Sequence, residues 1–392
     1  MPAKKIRLPI PVIVFVTALG FLAGCSDNNP SDGAITIGIM GPHSGPAAQF
    51  GIAVRYGAML YIDEFNARGG LQINAIMWDD EHDSARAITG YHHLVDQGVT
   101  AILGGVTSAP TMAVVPIAFE ENMPMITASA THAGVTINQD TGEVFTNMFR
   151  SCFIDPFQGM RMAEFARRIV GASTAAVLYS NEIDYSIGLM EAFIARANEL
   201  GLEIVAVETF ADEAIDFSAQ LINIAAAAPD VLFVPAYHQH VALIGPQSVA
   251  AGLDTTFLGA DGWAATLEFM ADPSSIEGAF FLTGFYEESD SPLVQDFIRR
   301  YVERHGAPPN MFAAQAYDAA MILIAALELA VADGHTPGSD GFKSSVIAHM
   351  AATDITGVTG SITFDEFNNP QKTAFIVQIV DGAGRFWGEW YG

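Results

Sequence analysis

The hydrophobic positions of the chain follow two alternating spacings from Ala34 onward. Short apolar runs such as AITIGIMGP (34–42) have the length and composition of buried strands. They alternate with segments such as QFGIAVRYGAMLYIDEFNARGG (49–70), where apolar residues recur at helical spacing and two glycines end the run. Strands that alternate with helices indicate right-handed crossover units and parallel sheets. The pattern therefore predicts an α/β fold.

The number of predicted strands is too large for one small sheet. About four strands precede residue 150 and about four more lie between residues 174 and 260, and so we predict two doubly wound, parallel-sheet lobes. The rhythm changes over GSITFDEFNNPQKTAFIVQIVDGAGRFWGEW (360–390), where alternating strands are separated by turn residues. This segment predicts an antiparallel addition to one of the sheets.

The N-terminus carries the features of an export signal. A basic segment (residues 4–7) precedes an apolar run (8–22), which is typical of a secretory signal rather than a membrane span. The run ends in LAGC, which resembles a bacterial lipoprotein box and implies cleavage before Cys25 and a diacylglycerol on its thiol. We predict a signal peptide over 1–24, a polar tether over 25–33, and a periplasmic or cell-surface location. An uncleaved anchor helix is the alternative.

Composition and charge narrow the classes of partner. Of the 392 residues, 51% are hydrophobic, which is enough for a substantial core. The formal net charge of −27 repels phosphate backbones and argues against a nucleic-acid partner. We see no second stretch of eighteen or more apolar residues and expect the lipid anchor to be the only membrane contact. Cys152 is the only cysteine besides Cys25, and so no intramolecular disulfide is expected.

Sequence motifs for enzymatic chemistry are missing. The chain has no P-loop, no nucleotide-binding glycine fingerprint after its first strand, no nucleophile elbow and no zinc-ligand spacing. We therefore predict no cofactor, no metal and no enzymatic activity. His92 and His93 fall in a helix and point in different directions, while His238 and His240 favour a loop near a pocket rim. A hydrolase built on Ser108 and His238 is the enzymatic alternative.

Small hydroxyl and acidic residues follow several predicted strands, where open α/β sheets bind their ligands. Ser108 precedes a helix, and its hydroxyl and the first free N–H groups suit an anion, although a plain helix cap fits the same pattern. Ser129 and Thr131 also suit a carboxylate. Tyr237 and Asp261 supply a phenol and a negative charge to the second lobe. An anion site facing a cation site describes a receptor for a zwitterion such as an α-amino acid.

In these features the chain resembles the periplasmic branched-chain amino acid binding proteins of ABC transporters, which have the type I periplasmic binding protein fold. The resemblance covers nearly the whole chain after the signal segment and rests on the order and spacing of short segments. They are IGIMGPHSGPAAQFG, DEFNARGG, WDDEHDS, LGGVTSAPTMAVVPIAFEENMPMITASAT, FRSCFIDPFQGM, DFSAQL, VLFVPAYHQH and FLGADGW.

The resemblance implies a discontinuous division of the chain. Three hinge crossovers are expected near Phe149–Asp155, Thr283–Tyr286 and Ile355–Thr359. The lobes they define are lobe 1, residues 34–150 and 285–355, and lobe 2, residues 151–284 and 356–392.

The resemblance also implies roles for individual residues. Ser108, with Ser129 and Thr131, is expected to hold the ligand carboxylate. Tyr237 and Asp261 are expected to hold the ammonium. At the position of Asp261 the family usually has glutamate instead of aspartate. The side-chain pocket is expected to be lined by Phe50, Tyr185, Trp263 and Phe312. The family's disulfide positions are occupied here by His82 or its neighbours and by Val106 or Thr107.

The implied function is an extracytoplasmic solute-binding lipoprotein. It captures an α-amino acid, apolar or branched-chain, between its lobes and delivers it to the permease subunits of an ABC transporter. We expect a monomer. Two alternatives keep the fold: a binder of an amide, a urea or an aromatic acid, or a ligand sensor. An aromatic acid has no need of Asp261, which weighs against that version.

Overall fold

The computed structural model of the chain describes residues 33–390. The predicted signal peptide and the lipidation site Cys25 lie outside the described residues. The first sheet has five parallel strands in the order β2-β1-β3-β4-β5. These strands are β1 (Ala34–Gly41), β2 (Gln72–Asp79), β3 (Ile102–Leu103), β4 (Met125–Thr127) and β5 (Met148–Arg150).

The second sheet has seven strands in the order β14-β13-β10-β9-β8-β6-β7. They are β6 (Thr174–Ser180), β7 (Glu203–Phe210), β8 (Val231–Phe233), β9 (Thr256–Gly259), β10 (Phe280–Thr283), β13 (Ala374–Val380) and β14 (Ala383–Trp390). Strands β6 to β10 run parallel, whereas β13 pairs antiparallel with β10 and with β14. The expected antiparallel addition is therefore present. A separate hairpin consists of β11 (Asp354–Gly357) and β12 (Gly360–Thr363).

Helices cover the sheets. They are α1 (Ala48–Ala67), α2 (Ser84–Asp96), α3 (Ser108–Glu120), α4 (Asp155–Phe165), α5 (Asp184–Leu200), α6 (Ser218–Ala227), α7 (His238–Ala250), α8 (Thr266–Phe269), α9 (Pro292–His305), α10 (Met311–Ala332) and α11 (Asp340–Ala351). Our expectation of a loop at His238 and His240 is wrong, because both are buried in the first turn of α7.

Helix α10 corrects a second expectation. It is long and apolar enough to cross a membrane by length and composition, although we found no such stretch in the sequence. Most of it is buried, and it packs against α1 as a core helix. Gly57 permits this packing, because a Cβ at that position would lie 1.9 Å from the carbonyl oxygen of Ala313.

The chain passes between the two sheets three times, after β5, after β10 and before β13. A cluster of polar groups, the Lys372 cluster, joins two of these passages. The Lys372 ammonium donates to the Ser151 carbonyl at 2.8 Å and to the Thr359 hydroxyl. The Asp318 carboxylate accepts the N–H groups of Val358 and Thr359, at 2.8 and 2.9 Å. The lobe boundaries given above stay a prediction.

Candidate functional site

A cavity lies between the carboxyl ends of the two sheets. Its empty volume is about 260 Å³. The lining residues are Phe50, Val106, Thr107, Ser108, Ser129, Tyr185, Tyr237, Asp261, Gly262 and Phe312. Seven of the nine residues that the sequence analysis assigns to a ligand are in this set.

The wall from the first sheet is built around the start of α3. Ser108 is the first helical residue and Thr107 is the N-cap, so that the helix begins one residue earlier than the sequence suggests. The first N–H groups of a helix have no partner within it. The Ser108 hydroxyl accepts the His132 N–H at 3.3 Å, and the Ser129 hydroxyl donates to the Val106 carbonyl at 2.7 Å. This wall therefore offers both hydroxyl donors and backbone donors to an anion.

A buried guanidinium supports the loop that carries Ser129 and Thr131. Arg150, at the end of β5, donates to the carbonyl oxygens of Ala130 and His132 at 3.0 and 3.1 Å. It is fully buried, and burial lowers its pKa, yet an arginine keeps its proton in proteins. Its positive charge beneath this loop favours an anion on this side of the cavity.

The wall from the second sheet is centred on Asp261, which is 2% exposed. The Tyr185 hydroxyl donates to Asp261 Oδ1 at 2.8 Å and accepts the Gly262 N–H at 2.8 Å. The backbone N–H of Asp261 donates to Gln158 Oε1 at 3.0 Å. Burial raises the pKa of Asp261 to about 6, although hydrogen bonds from Tyr185 and Gln158 oppose the rise. A cation beside this carboxyl would compensate the desolvated charge.

Aromatic rings close the cavity from both lobes. Phe50 of α1 lies 4.7 Å from Phe312, 5.3 Å from Tyr237 and 4.9 Å from His238, measured between ring centroids. Tyr185 and Tyr237 are stacked at 4.9 Å. Phe50 thus packs on side chains that follow the second sheet, and the two lobes are closed on one another. The rings give the cavity an apolar wall beside its two polar subsites.

Two of the assigned residues lie outside the lining set. The Thr131 hydroxyl is buried without a hydrogen bond among residues 33–390. The indole of Trp263 points away, because its Nε1–H donates to the Val234 carbonyl at 2.8 Å. A Cβ at Gly259 would lie 2.3 Å from that ring, so this glycine accommodates Trp263 behind the cavity wall. The expectation that Trp263 lines the side-chain pocket is not met by this geometry.

Other residues near the cavity were not assigned to the ligand from the sequence. Gln158 and Asp155 belong to α4, directly after the first passage between the sheets, and both are fully buried. His82 and Thr107 are joined by a hydrogen bond of 2.8 Å between Nδ1 and Oγ1. The resemblance places the family's disulfide partners at His82 or its neighbours and at Val106 or Thr107, and here a hydrogen bond connects those two loops.

Two doubly wound lobes that enclose a small cavity, with an acid on one wall and helix-start donors on the other, define a two-lobed solute-binding protein. The chain belongs to the periplasmic binding protein family, whose model matches residues 34–384. This confirms the family and the fold class predicted from the sequence.

Named relatives cover nearly the whole chain. A leucine-, isoleucine-, valine-, threonine- and alanine-binding protein of Pseudomonas aeruginosa is 25% identical over 359 residues, 91% of this chain and 92% of the relative. The structure of a leucine binding protein, LivK, from Thermotoga maritima has a TM-score of 0.81 and 30% identity. That of the branched-chain amino acid transporter substrate binding protein LivJ from Streptococcus pneumoniae, in complex with isoleucine, has a TM-score of 0.80 and 30% identity. Each structural match covers 91% of this chain and 98% of the other.

Proposed function

We propose that this protein binds an α-amino acid between its lobes and holds both charged groups of the ligand. The observation that carries the proposal is the placement of Ser108 and Asp261 on opposite walls of one cavity. The carboxylate lies on Ser108, Ser129 and Thr131, and the ammonium lies on Tyr237 and Asp261. No metal-ligand cluster is found among residues 33–390, and the polar groups that line the cavity suit binding without turnover.

The energetics are adequate for a high-affinity complex. Each hydrogen bond to a charged group contributes about 1.5–3 kcal/mol. Four or five such bonds, reduced by the lost freedom of the ligand, leave about −8 kcal/mol, which corresponds to a micromolar dissociation constant. Only the closed form satisfies both charges, and so the ligand shifts the lobes toward closure by its differential affinity.

The apolar wall favours an aliphatic side chain. Phe50 and Phe312 form this wall, and the relatives named above bind leucine, isoleucine, valine and other small amino acids according to their names. We therefore propose a branched-chain or other apolar amino acid as the ligand. A benzoate-like acid would leave the Asp261 carboxyl buried without a cation, which weighs against that ligand.

The exported and anchored state is part of the same proposal. The basic and apolar N-terminal segments and LAGC at residues 22–25 support lipidation of Cys25. The protein then acts as a monomer, tethered by residues 25–33, that delivers its ligand to ABC permease subunits. Fractionation of the producing cell tests the anchor. Cys25→Ser should move the protein from the membrane fraction to the soluble extracytoplasmic fraction, and an unchanged distribution would contradict lipidation.

Isothermal titration calorimetry tests the ligand assignment. Leucine, isoleucine and valine should bind, whereas 4-methylpentanoate, which lacks the ammonium, and 3-methylbutylamine, which lacks the carboxylate, should not. Asp261→Ala should weaken leucine binding by about 10- to 150-fold, the value of one hydrogen bond to a charged group. Asp254→Ala removes an exposed carboxyl at the opposite end of β9 and serves as the control. Equal affinity for leucine and 4-methylpentanoate would refute the zwitterion site.

A further inference from the structure

A second cavity lies next to the ligand cavity in the chain and shares none of its lining residues. Its lining comes from strands β10, β13 and β14, from the passage after β10, from the start of α10 and from the segment after Trp263. We call it the β14 cavity. Its empty volume is about 720 Å³, which is in the range of small-molecule sites. The proposed amino acid site has no use for it.

The floor of the β14 cavity is an apolar face of the second sheet. Phe281, Val377 and Phe386 are cross-strand neighbours on β10, β13 and β14, and all three remain partly exposed. Gly384 of β14 leaves this floor open, because a Cβ at that position would lie 3.2 Å from Val377 Cγ1. The cavity therefore has room for an apolar body that packs on the sheet.

Aromatic and acidic side chains meet at the rim of the cavity. The rings of Tyr286 and Phe386 are stacked, with their centroids 3.9 Å apart. The Tyr286 hydroxyl donates to Glu288 Oε2 at 3.2 Å, which holds this carboxylate next to the stacked rings. Glu287 also lines the cavity. The apolar floor is thus bordered by two carboxylates.

The negative charge of this rim has no counter-charge among residues 33–390. Neither Glu287 nor Glu288 forms an ion pair there, and the described lining contains no lysine or arginine. Burial and the neighbouring Glu288 raise the pKa of Glu287, because both disfavour its charged form. A cation beside the two acids would remove the repulsion between them.

We propose that the β14 cavity binds an organic monocation. The ammonium group lies at Glu287 and Glu288, and an aromatic or aliphatic body packs on the apolar floor. A bare metal ion would gain nothing from this floor, which supplies no oxygen ligands, and the acidic rim repels an anion. A neutral molecule would leave the two carboxylates without a counter-charge.

Occupancy of the β14 cavity favours the closed arrangement of the lobes. The floor belongs to the second sheet, whereas Met311 begins α10, which packs against α1 and strands of the first sheet. The Gly284 N–H donates to Met311 Sδ at 2.9 Å, and the next residue, Phe312, lines the ligand cavity. A bound cation and a bound amino acid therefore raise each other's affinity by the same factor. This coupling rests on the proposed function, but the β14 cavity itself does not.

Ligand-observed NMR titrations with three probes that share one body test the class of ligand. The probes are added to the wild-type protein with saturating leucine, so that the ligand cavity is occupied. 4-Phenylbutylamine should bind with a dissociation constant on the order of 0.1–1 mM. 4-Phenylbutan-1-ol should bind about threefold more weakly, and 4-phenylbutanoate about tenfold more weakly or not at all. Equal affinity for the three probes, or no binding of the amine, would overturn the inference.

Variants test the location of the bound amine. Glu287→Gln with Glu288→Gln should weaken its binding about three- to tenfold. The control Glu120→Gln with Glu143→Gln removes the same charge from exposed positions outside the cavity and should have less than about a twofold effect. Gly384→Leu fills the floor and should weaken amine binding more than about tenfold. Equal losses in the two double variants, or unchanged binding in a folded Gly384→Leu, would contradict the assignment.

Calorimetry with leucine separates this inference from the proposed function. Saturating 4-phenylbutylamine should tighten leucine binding about fivefold or more, and an unchanged leucine affinity would overturn the coupling. If the protein binds no amino acid, the proposed function fails, and titration of Asp261→Ala with the three probes still tests the β14 cavity. Thermal unfolding of each variant identifies those that lose affinity through unfolding.

Discussion

The affinity for an amino acid should fall in mild acid because of Asp261. The pKa of this carboxyl is raised to about 6 in the cavity, chiefly by burial. A bound ammonium favours the ionised form, and so the pKa in the complex lies below the pKa of the empty site. Binding is therefore strongest above pH 6 and weakens as the pH falls through that value, because the carboxyl must release a proton to receive the ligand.

The magnitude follows from one titrating group. With a free-state pKa of about 6, the dissociation constant should rise about tenfold between pH 7 and pH 5, which corresponds to about 1.4 kcal/mol. The pKa of His238 is lowered to about 4 by burial and by His240, so that ring stays neutral over this range. Asp80 also has a pKa raised to about 6, but it is not among the residues that line the cavity.

Calorimetry in buffers of different ionisation enthalpy measures both the affinity and the protons released. At pH 6 the wild-type protein should release about half a proton on binding leucine. Asp261→Asn should bind weakly, with a dissociation constant that changes little from pH 7 to pH 5, and this variant also separates any contribution from Asp80. A wild-type affinity that is constant over this range, or an unchanged pH profile in Asp261→Asn, would refute the reasoning.

Three further predictions concern single side chains. Tyr185→Phe removes the hydrogen bond to Asp261 and should raise the dissociation constant for leucine roughly tenfold by calorimetry; no change would show that the hydroxyl is dispensable. Arg150→Met leaves the carbonyl oxygens of its loop without donors and should lower the free energy of unfolding in urea by about 3 kcal/mol; a loss below about 1 kcal/mol would contradict this. Gly57→Ala should lower it by about 1–3 kcal/mol, since the added methyl group meets the backbone of α10; Ala58→Gly, one residue along α1, serves as a comparison without overpacking.

Candidate ligand residues could be chosen from the sequence where they directly follow a predicted strand. Ser108, Tyr237 and Asp261 were identified because open α/β sheets bind ligands at the carboxyl ends of their strands, and the structure gathers all three around one cavity. The two α/β lobes and the antiparallel C-terminal strands were predicted because hydrophobic periodicity reports on the burial of regular elements. The family was predicted separately, from the resemblance of short segments.

The directions of side chains and the contacts between distant residues could not be predicted from the sequence. Trp263 is two residues after Asp261, yet the short 3₁₀ turn that contains both sends its indole into the core behind the cavity. Arg150 is a single basic residue in an apolar strand. Its role depends on carbonyl oxygens that lie 20 and 18 residues away in the chain. Asp155 and Gln158 follow a passage between the sheets, where no periodic pattern indicates the direction of each side chain.

The Lys372 cluster constrains the mechanics of the whole molecule. One ammonium holds a carbonyl of the passage after β5 and a hydroxyl of the passage before β13, so that these two segments behave as one linked joint. When one rigid body turns against another, atoms far from the axis separate and atoms on the axis stay together. Under the predicted boundaries Ser151, Thr359 and Lys372 all belong to lobe 2, whereas Asp318 belongs to lobe 1. A rotation of the lobes therefore keeps the hydrogen bonds of Asp318 to Val358 and Thr359 only if its axis runs close to Asp318.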